Sequence, residues 1–273
     1  MLGAAFFIPH EQAEMNRFVL VLFLSGLPLS SSGADDKSFN VARALFQQRC
    51  AVAGERIHKT VEDVDGVFLL KLRPPSHNFG NQFPLDDPYG RDYLDDGYIE
   101  SFLRAHHELH AEVARLKNRA HTPREQVGYE FVEADNPTDG KRYRYSAFID
   151  QPGKTDPRYV IDYVRVVLAS SLSGGAPPRY GVTYDDISTT EDRQHWIAGS
   201  SLKVLDLLTG EIIAERIGYM MDPGQGNKSG GRSPWLIAAS HACPAFNSRH
   251  PAVFQGGQAD RFVEKVLIPR PKP

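Results

Sequence analysis

Between residues 105 and 110 the chain reads Ala-His-His-Glu-Leu-His. Imidazoles and a carboxylate this close together can ligate a metal ion or pass protons. His106 and His110 stand four apart, about one helical turn, so their rings share a helix face and could hold a metal whose remaining ligands come from elsewhere. The run His107-Glu108-Leu109-His110 is one residue short of the zinc-protease signature His-Glu-x-x-His. A helix with partly buried, hydrogen-bonded histidines is the plainer account, and no cofactor is expected.

A second candidate is Gly224-Gln225-Gly226-Asn227-Lys228-Ser229-Gly230-Gly231, which lies between a strand pattern and a helix start. Backbone N–H groups in such a loop can surround an anion. The spacing matches neither phosphate-loop pattern: Lys228 does not follow a glycine, and the third glycine is one place late. Gly224, Gly226, Lys228, Ser229 and the nearby Trp235 are therefore kept as candidate binding residues, against the alternative of a flexible surface loop. A third candidate is acidic: Asp86, Asp87, Asp92, Asp95 and Asp96 fall within an irregular stretch, 74–96. Carboxylates in that number could gather around calcium, but the spacing is not that of a calcium loop, and a solvated acidic loop is expected. If the 74–96 and 224–232 loops met, a site between them would be credible.

Ser200-Ser201-Leu202-Lys203 echoes the Ser-x-x-Lys element of penicillin-binding proteins. In a strand, residues three apart point to opposite faces, so Ser200 and Lys203 should not meet. Trp196, Tyr219 and Trp235 could line a groove for sugar or peptide, though aromatics at sheet spacing usually belong to a core. No residue acquires a catalytic role.

The elements that must hold these residues centre on 196–222, read as one long β-hairpin. Runs rich in Val, Leu and Ile flank Thr209-Gly210. A two-residue loop there would oppose Lys203 to Arg216. A three-residue loop with a bulge at Gly210 opposes Lys203 to Glu215 and Leu205 to Ile213, and unlike charges favour it. One face then carries Leu205, Ile213 and Ile217, the other Trp196, Val204, Ile212 and Met220. Before the hairpin, apolar spacing predicts helices over 36–57, 97–116 and 156–168. Strands are expected at 67–70, 127–132, 142–149 and 179–187, and 170–178 reads as a linker. After it, Ser233-Pro234 starts a short helix, and 261–268 forms a final strand or helix. The expected fold is α+β: an antiparallel sheet with the hairpin at its centre and helices packed on it.

At the amino end, Arg17, the apolar run 18–29 and Ser30-Ser31-Ser32-Gly33-Ala34 have the form of a secretory signal peptide cleaved after Ala34. The run is too short to span a bilayer, and no membrane segment is expected in the mature chain. Met15 is as good an initiator as Met1. The expected organisation is a signal at 1–34, a single domain at 35–268 and a disordered tail at 269–273. Export points to the periplasm or to secretion. There, Cys50 and Cys243 are most simply one disulfide, two buried free thiols being the alternative. A formal charge of −3 over 273 residues offers no case for nucleic acid or an anionic membrane.

CAVAGERIHKTVEDVDGVFLLKLRP, DDPYGRD, RYGVTYDDISTTEDRQHWIAGSSLKVLDLLTGEIIAERIGYMMDPGQG and GGRSPWLIAASHACP together resemble a set of uncharacterised exported proteins of Gram-negative bacteria. The resemblance implies export and no particular activity. The leading expectation is a non-catalytic periplasmic binding or interaction protein of the cell envelope, of inhibitor or immunity type, whose partner is another exported or envelope protein. An envelope hydrolase centred on His106 and His110 and a structural envelope accessory are the alternatives.

Overall fold

A computed structural model describes residues 32–76, 82, 87–109, 127–246 and 255–272. Residues 1–31 of the signal-type leader and His110 lie outside these residues, whereas Ser32, Gly33 and Ala34, expected to end the leader, open the first helix. Helix α1 (Ser32–Cys50) lays Phe39, Ala42 and Phe46 against Ile197, Tyr219 and Met221. It stops earlier than the apolar spacing predicts. A turn at Ala51-Val52 and Gly54, at φ 142°, redirect the chain into a strand, β1 (Gly54–Ile57). Ala53 and Ile57 thus continue a helical period by coincidence.

Asp65 separates two strands, β2 (Val61–Val64) and β3 (Gly66–Leu69), which enter different sheets. Next comes α2 (Asp96–Ser101). The helix predicted over 97–116 is broken at Phe102–Leu103, where Leu103 bridges to Tyr129, and residues 104–109 are helical again. Strands β4 (Phe131–Asp135) and β5 (Arg142–Asp150) form a hairpin; β5 lies where expected, whereas β4 begins at Phe131 rather than at Val127. The helix predicted over 156–168 is absent. A 3₁₀ turn at Pro152–Lys154 leads through loops to strand β6 (Arg165–Leu172). Here the branched Val166 and Val167 prevail: they fit a pleated surface better than a helix.

Strand β7 (Tyr180–Asp186) is followed by α3 (Thr190–Gln194), whose capping box pairs Thr189 with Asp192. The central hairpin is β8 (Ile197–Asp206) and β9 (Glu211–Met221). Lys203 faces Glu215 as the charge argument requires, but beyond Val204 the register shifts, so that Leu205 faces Ile212 and the loop has four residues. The shift is a bulge at Ile213. Two successive residues, Ile213 and Ala214, therefore turn to the core beside Val204, and Ile212 is exposed. This exchanges the predicted faces of Ile212 and Ile213. Helix α4 (Pro234–Ala238), strand β10 (Ala242–Cys243), helix α5 (Gln258–Val266) and strand β11 (Leu267–Pro269) complete the order. The expected loose tail begins inside β11: Arg270 pairs with Asp65 at 3.0 Å, and Lys272 with Glu108.

The main sheet runs β1-β9-β8-β7-β3-β4-β5-β6, with β10 beside the far half of β9; β11 and β2 form a parallel pair. The fold is α+β with an antiparallel-dominated sheet. The exception is β3, parallel to both β4 and β7. All four of its residues are buried, the pattern of a strand covered on both faces. Helices α2 and α5 pack Tyr98, Ile99, Phe262, Val263 and Val266 onto Leu69, Val132, Val182, Leu202 and Val204. Cys50 and Cys243 form a disulfide, Cα–Cα 5.5 Å, tying the end of α1 to β10. No described helix is long and apolar enough to cross a membrane.

Candidate functional site

The glycine loop folds around its own carboxylate. Asp222, fully buried at the end of β9, accepts from the N–H groups of Gly224 (3.1 Å) and Gly226 (2.8 Å). Arg232 donates to both carboxylate oxygens from the far end of the loop. An anion does occupy this loop, and the chain supplies it. Gly226 lies so close to Trp196 that a Cβ there would fall 2.2 Å from the indole. Trp196 and Gln225, both non-glycine residues at positive φ, meet here, and the Gln225 amide donates to the His195 carbonyl. Lys228 and Ser229 stay exposed at the loop tip, while Trp235 is buried 5.3 Å from Trp196. The five candidate binding residues thus divide among an internal carboxylate cradle, an exposed tip and a core.

His106 rests its ring edge-on against Tyr93 and His107, at 5.5 and 5.3 Å. The deeper histidine is His107, whose Nε2 lies 3.5 Å from Glu264 on α5. Glu264 also accepts from the N–H groups of Val127 and Gly128. Burial pushes its carboxyl up to about 7, against the pull of those two donors. The side chains of His107 and Glu264 are 3% and 7% exposed, so the pair fastens helix to helix inside the fold. Among the described residues no three His, Cys, Asp or Glu side chains gather as metal ligands would. Glu264 stands 157 positions from His107, beyond any local sequence signal.

The acidic stretch is partly interior. Asp95 and Asp96 are exposed, as expected of a solvated loop, but Asp87 and Asp92 are buried; Asp86 lies outside the described residues. Asp92 accepts from the N–H groups of Gly257 and Ala259 and so caps the start of α5. Asp87 accepts from Gly90 and from Arg73 at 3.1 Å. Arg73 lies over the Tyr184 ring, 3.3 Å from guanidinium carbon to centroid. Burial opposes its charge, yet Asp87 and the Tyr98 and Tyr184 phenols outweigh that cost and raise its pKa. Burial pushes the Asp87 carboxyl up, against Arg73. Arginine keeps its proton at any pH the fold meets, so Asp87 is the member of the pair that can be neutralised. The link between the 74–96 stretch and the glycine loop is indirect: Gly226 lies against Trp196, and Trp196 belongs with Trp235 to the apolar cluster that holds Tyr89.

Two solvent-open features bear on binding. One is a cleft of about 580 Å³, lined by Leu70 to Pro75, by Asp95, Asp96 and Ile99, by Asp135 to Thr138 and by Tyr145. The other is an arm. Strand β5 pairs with β4 only from Arg142 to Tyr145, whereas β6 follows β5 along its length. Among the described residues, 146–150 and 165–169 therefore pair only with one another in the main sheet. Phe148 (55% exposed), Val160 (73%), Ile161 (60%) and Leu172 (64%) are apolar and open to solvent on this arm. Compared with protein-family models, curated proteins and solved structures, the chain shows no significant match.

Proposed function

We propose that this is a non-catalytic binding protein of the cell envelope, of inhibitor or immunity type. It takes an extended segment of another exported protein as an additional strand on β6. The observation that carries this reading is the β5–β6 arm. Among the described residues β6 ends the sheet; it keeps unbroken register with β5 over eight residues and bears no charge from Val166 to Leu172. Its one charge, Arg165, is answered within the arm by Asp150 at 2.9 Å. Edge strands are ordinarily guarded by lysines, prolines or bulges because their open N–H and C=O groups attract other strands. An unguarded edge beside exposed apolar side chains suits strand addition, in which main-chain bonds supply affinity and side-chain contacts supply specificity. The signal-type leader and the disulfide agree with an exported site of action.

The test places a photoreactive residue at Ser170 on β6 and, as control, at Glu62 on β2, in protein exported by its own host. One discrete adduct should form from position 170 and none from 62. It should vanish when Ala169→Lys and Leu172→Lys guard the edge, with the melting curve unchanged. Equal adducts from both positions, or an adduct indifferent to the lysines, would end the proposal.

A further inference from the structure

We propose that the cleft beside β3 and β4 binds a small amino compound with a hydrogen-bond acceptor near its ammonium group, that is, a free amino acid or the amino end of a short peptide. This is independent of the arm and its macromolecular partner.

The first argument is position. β3 and β4 are parallel neighbours, and both end at this cleft: Leu70 to Pro75 leaves β3 and Asn136 to Thr138 leaves β4. Chains diverging from the carboxyl ends of adjacent parallel strands open a crevice that ligands use in open sheets. The volume, about 580 Å³, is of ligand size.

The second argument is the arrangement of charge. Asp95 and Asp96 stand at the mouth, exposed and in no ion pair among the described residues. Asp135, also exposed, is only 3.7 Å from Arg142 and keeps most of its surface in water. These three carboxylates suit an ammonium group. Positive charge in the lining comes from Lys71, whose Nζ is turned onto the Tyr184 ring 4.3 Å from its centroid, and from the inner wall. Arg73 lines the cleft with its side chain only 4% exposed, and its Nε has no hydrogen-bond partner among the described residues. A buried N–H without an acceptor costs free energy, and a carbonyl or carboxylate oxygen entering the cleft would supply one. Leu72, Pro74, Pro75, Ile99 and Pro137 form apolar walls between the two ends. A ligand satisfying both ends carries its amine outward and its acceptor inward, with a small apolar body between.

The inference is tested on the full chain by calorimetric titration with the dipeptide alanyl-alanine, its N-acetyl form and its C-terminal amide. The free dipeptide should bind in the range of about 0.01–1 mM. Acetylation should weaken binding about tenfold or more, because it removes the charge that Asp95 and Asp96 answer. Asp96→Asn should weaken the free dipeptide and leave the acetylated one unchanged. Thr138→Trp, at an exposed turn position on the rim, should block all three. Equal binding of free and acetylated peptides overturns the inference, as does binding that survives Thr138→Trp. So does silence from all three probes in a protein whose far-ultraviolet spectrum and melting curve are normal. None of these results bears on adducts from position 170.

Discussion

Asp92 accepts a hydrogen bond from the backbone N–H of Ala259 at 2.8 Å, across 167 positions of sequence. The same carboxylate receives Gly257, and the Gln258 side chain returns to the Tyr89 and Arg91 carbonyls. A stretch composed like a surface loop is thus threaded between the sheet and the carboxyl-terminal helix. Asp92→Ala strips the cap and leaves buried donors unpaired, so it should cost about 2–4 kcal/mol in urea unfolding. Asp96→Ala, at an exposed position nearby, should stay within about 1 kcal/mol of the wild type. Equal costs at the two positions would show that Asp92 is not the cap.

The Cys50–Cys243 bond closes a loop with 193 positions between its ends. Chain entropy assigns such a crosslink about 5 kcal/mol, through restriction of the unfolded state. Cys50→Ser with Cys243→Ser should lower stability by an amount of that order, and reductant should then have no further effect.

Glu264 makes stability depend on pH. Its carboxyl is raised from an ordinary 4.5 to about 7 in the fold, so between those values the folded state binds the proton that the unfolded state releases. Its contribution is fully present below about pH 4.5 and is lost as pH rises through 7. Glu264→Gln should therefore flatten the decline in urea midpoint between pH 5 and 8. A decline just as steep in the variant would assign it to other groups.

Asp222 holds the glycine loop shut. Asp222→Ala leaves the Gly224 and Gly226 donors and Arg232 without their buried acceptor, and should cost about 3 kcal/mol or more. Gly226→Ala should do comparable damage, since its Cβ meets Trp196 and its φ is +81°. Lys228→Ala and Ser229→Ala, at the exposed tip, should be silent in the same melting experiment.

Much of the fold is legible along the chain. The hairpin and its Lys203–Glu215 pair agree with cross-strand charge, a local property, but the expected three-residue turn is replaced by a four-residue loop whose extra residue is offset by the bulge at Ile213. The capping box at Thr189 and Asp192 is equally local, yet α3 is not among the expected elements. The strand at 165–172 is harder, because Tyr159, Val160, Tyr163, Val164, Val167 and Leu168 satisfy a helical period; their branching decides the matter once β5 offers a partner. The cleft was not legible, because its walls come from 70–75, 95–99, 135–138 and 145, which no spacing rule joins.

By itself the sequence determined which segments could be strands or helices, the register of the long hairpin up to Val204, and that Cys50 and Cys243 could pair. Those properties depend on neighbours along the chain or on residue types too few to pair otherwise. The tertiary structure alone decided that β3 would lie parallel between β4 and β7, that Ile213 and not Ile212 would face the core, and that Asp87, Asp92, Asp222 and Glu264 would be interior. The physical reason is the cost of burying a charge. A carboxylate enters a core only where donors await it, and Arg73, Ala259 and Gly128 stand 14, 167 and 136 positions from the carboxylates they satisfy. Arg232 lies only ten positions from Asp222, yet it too meets its partner only once the loop has closed.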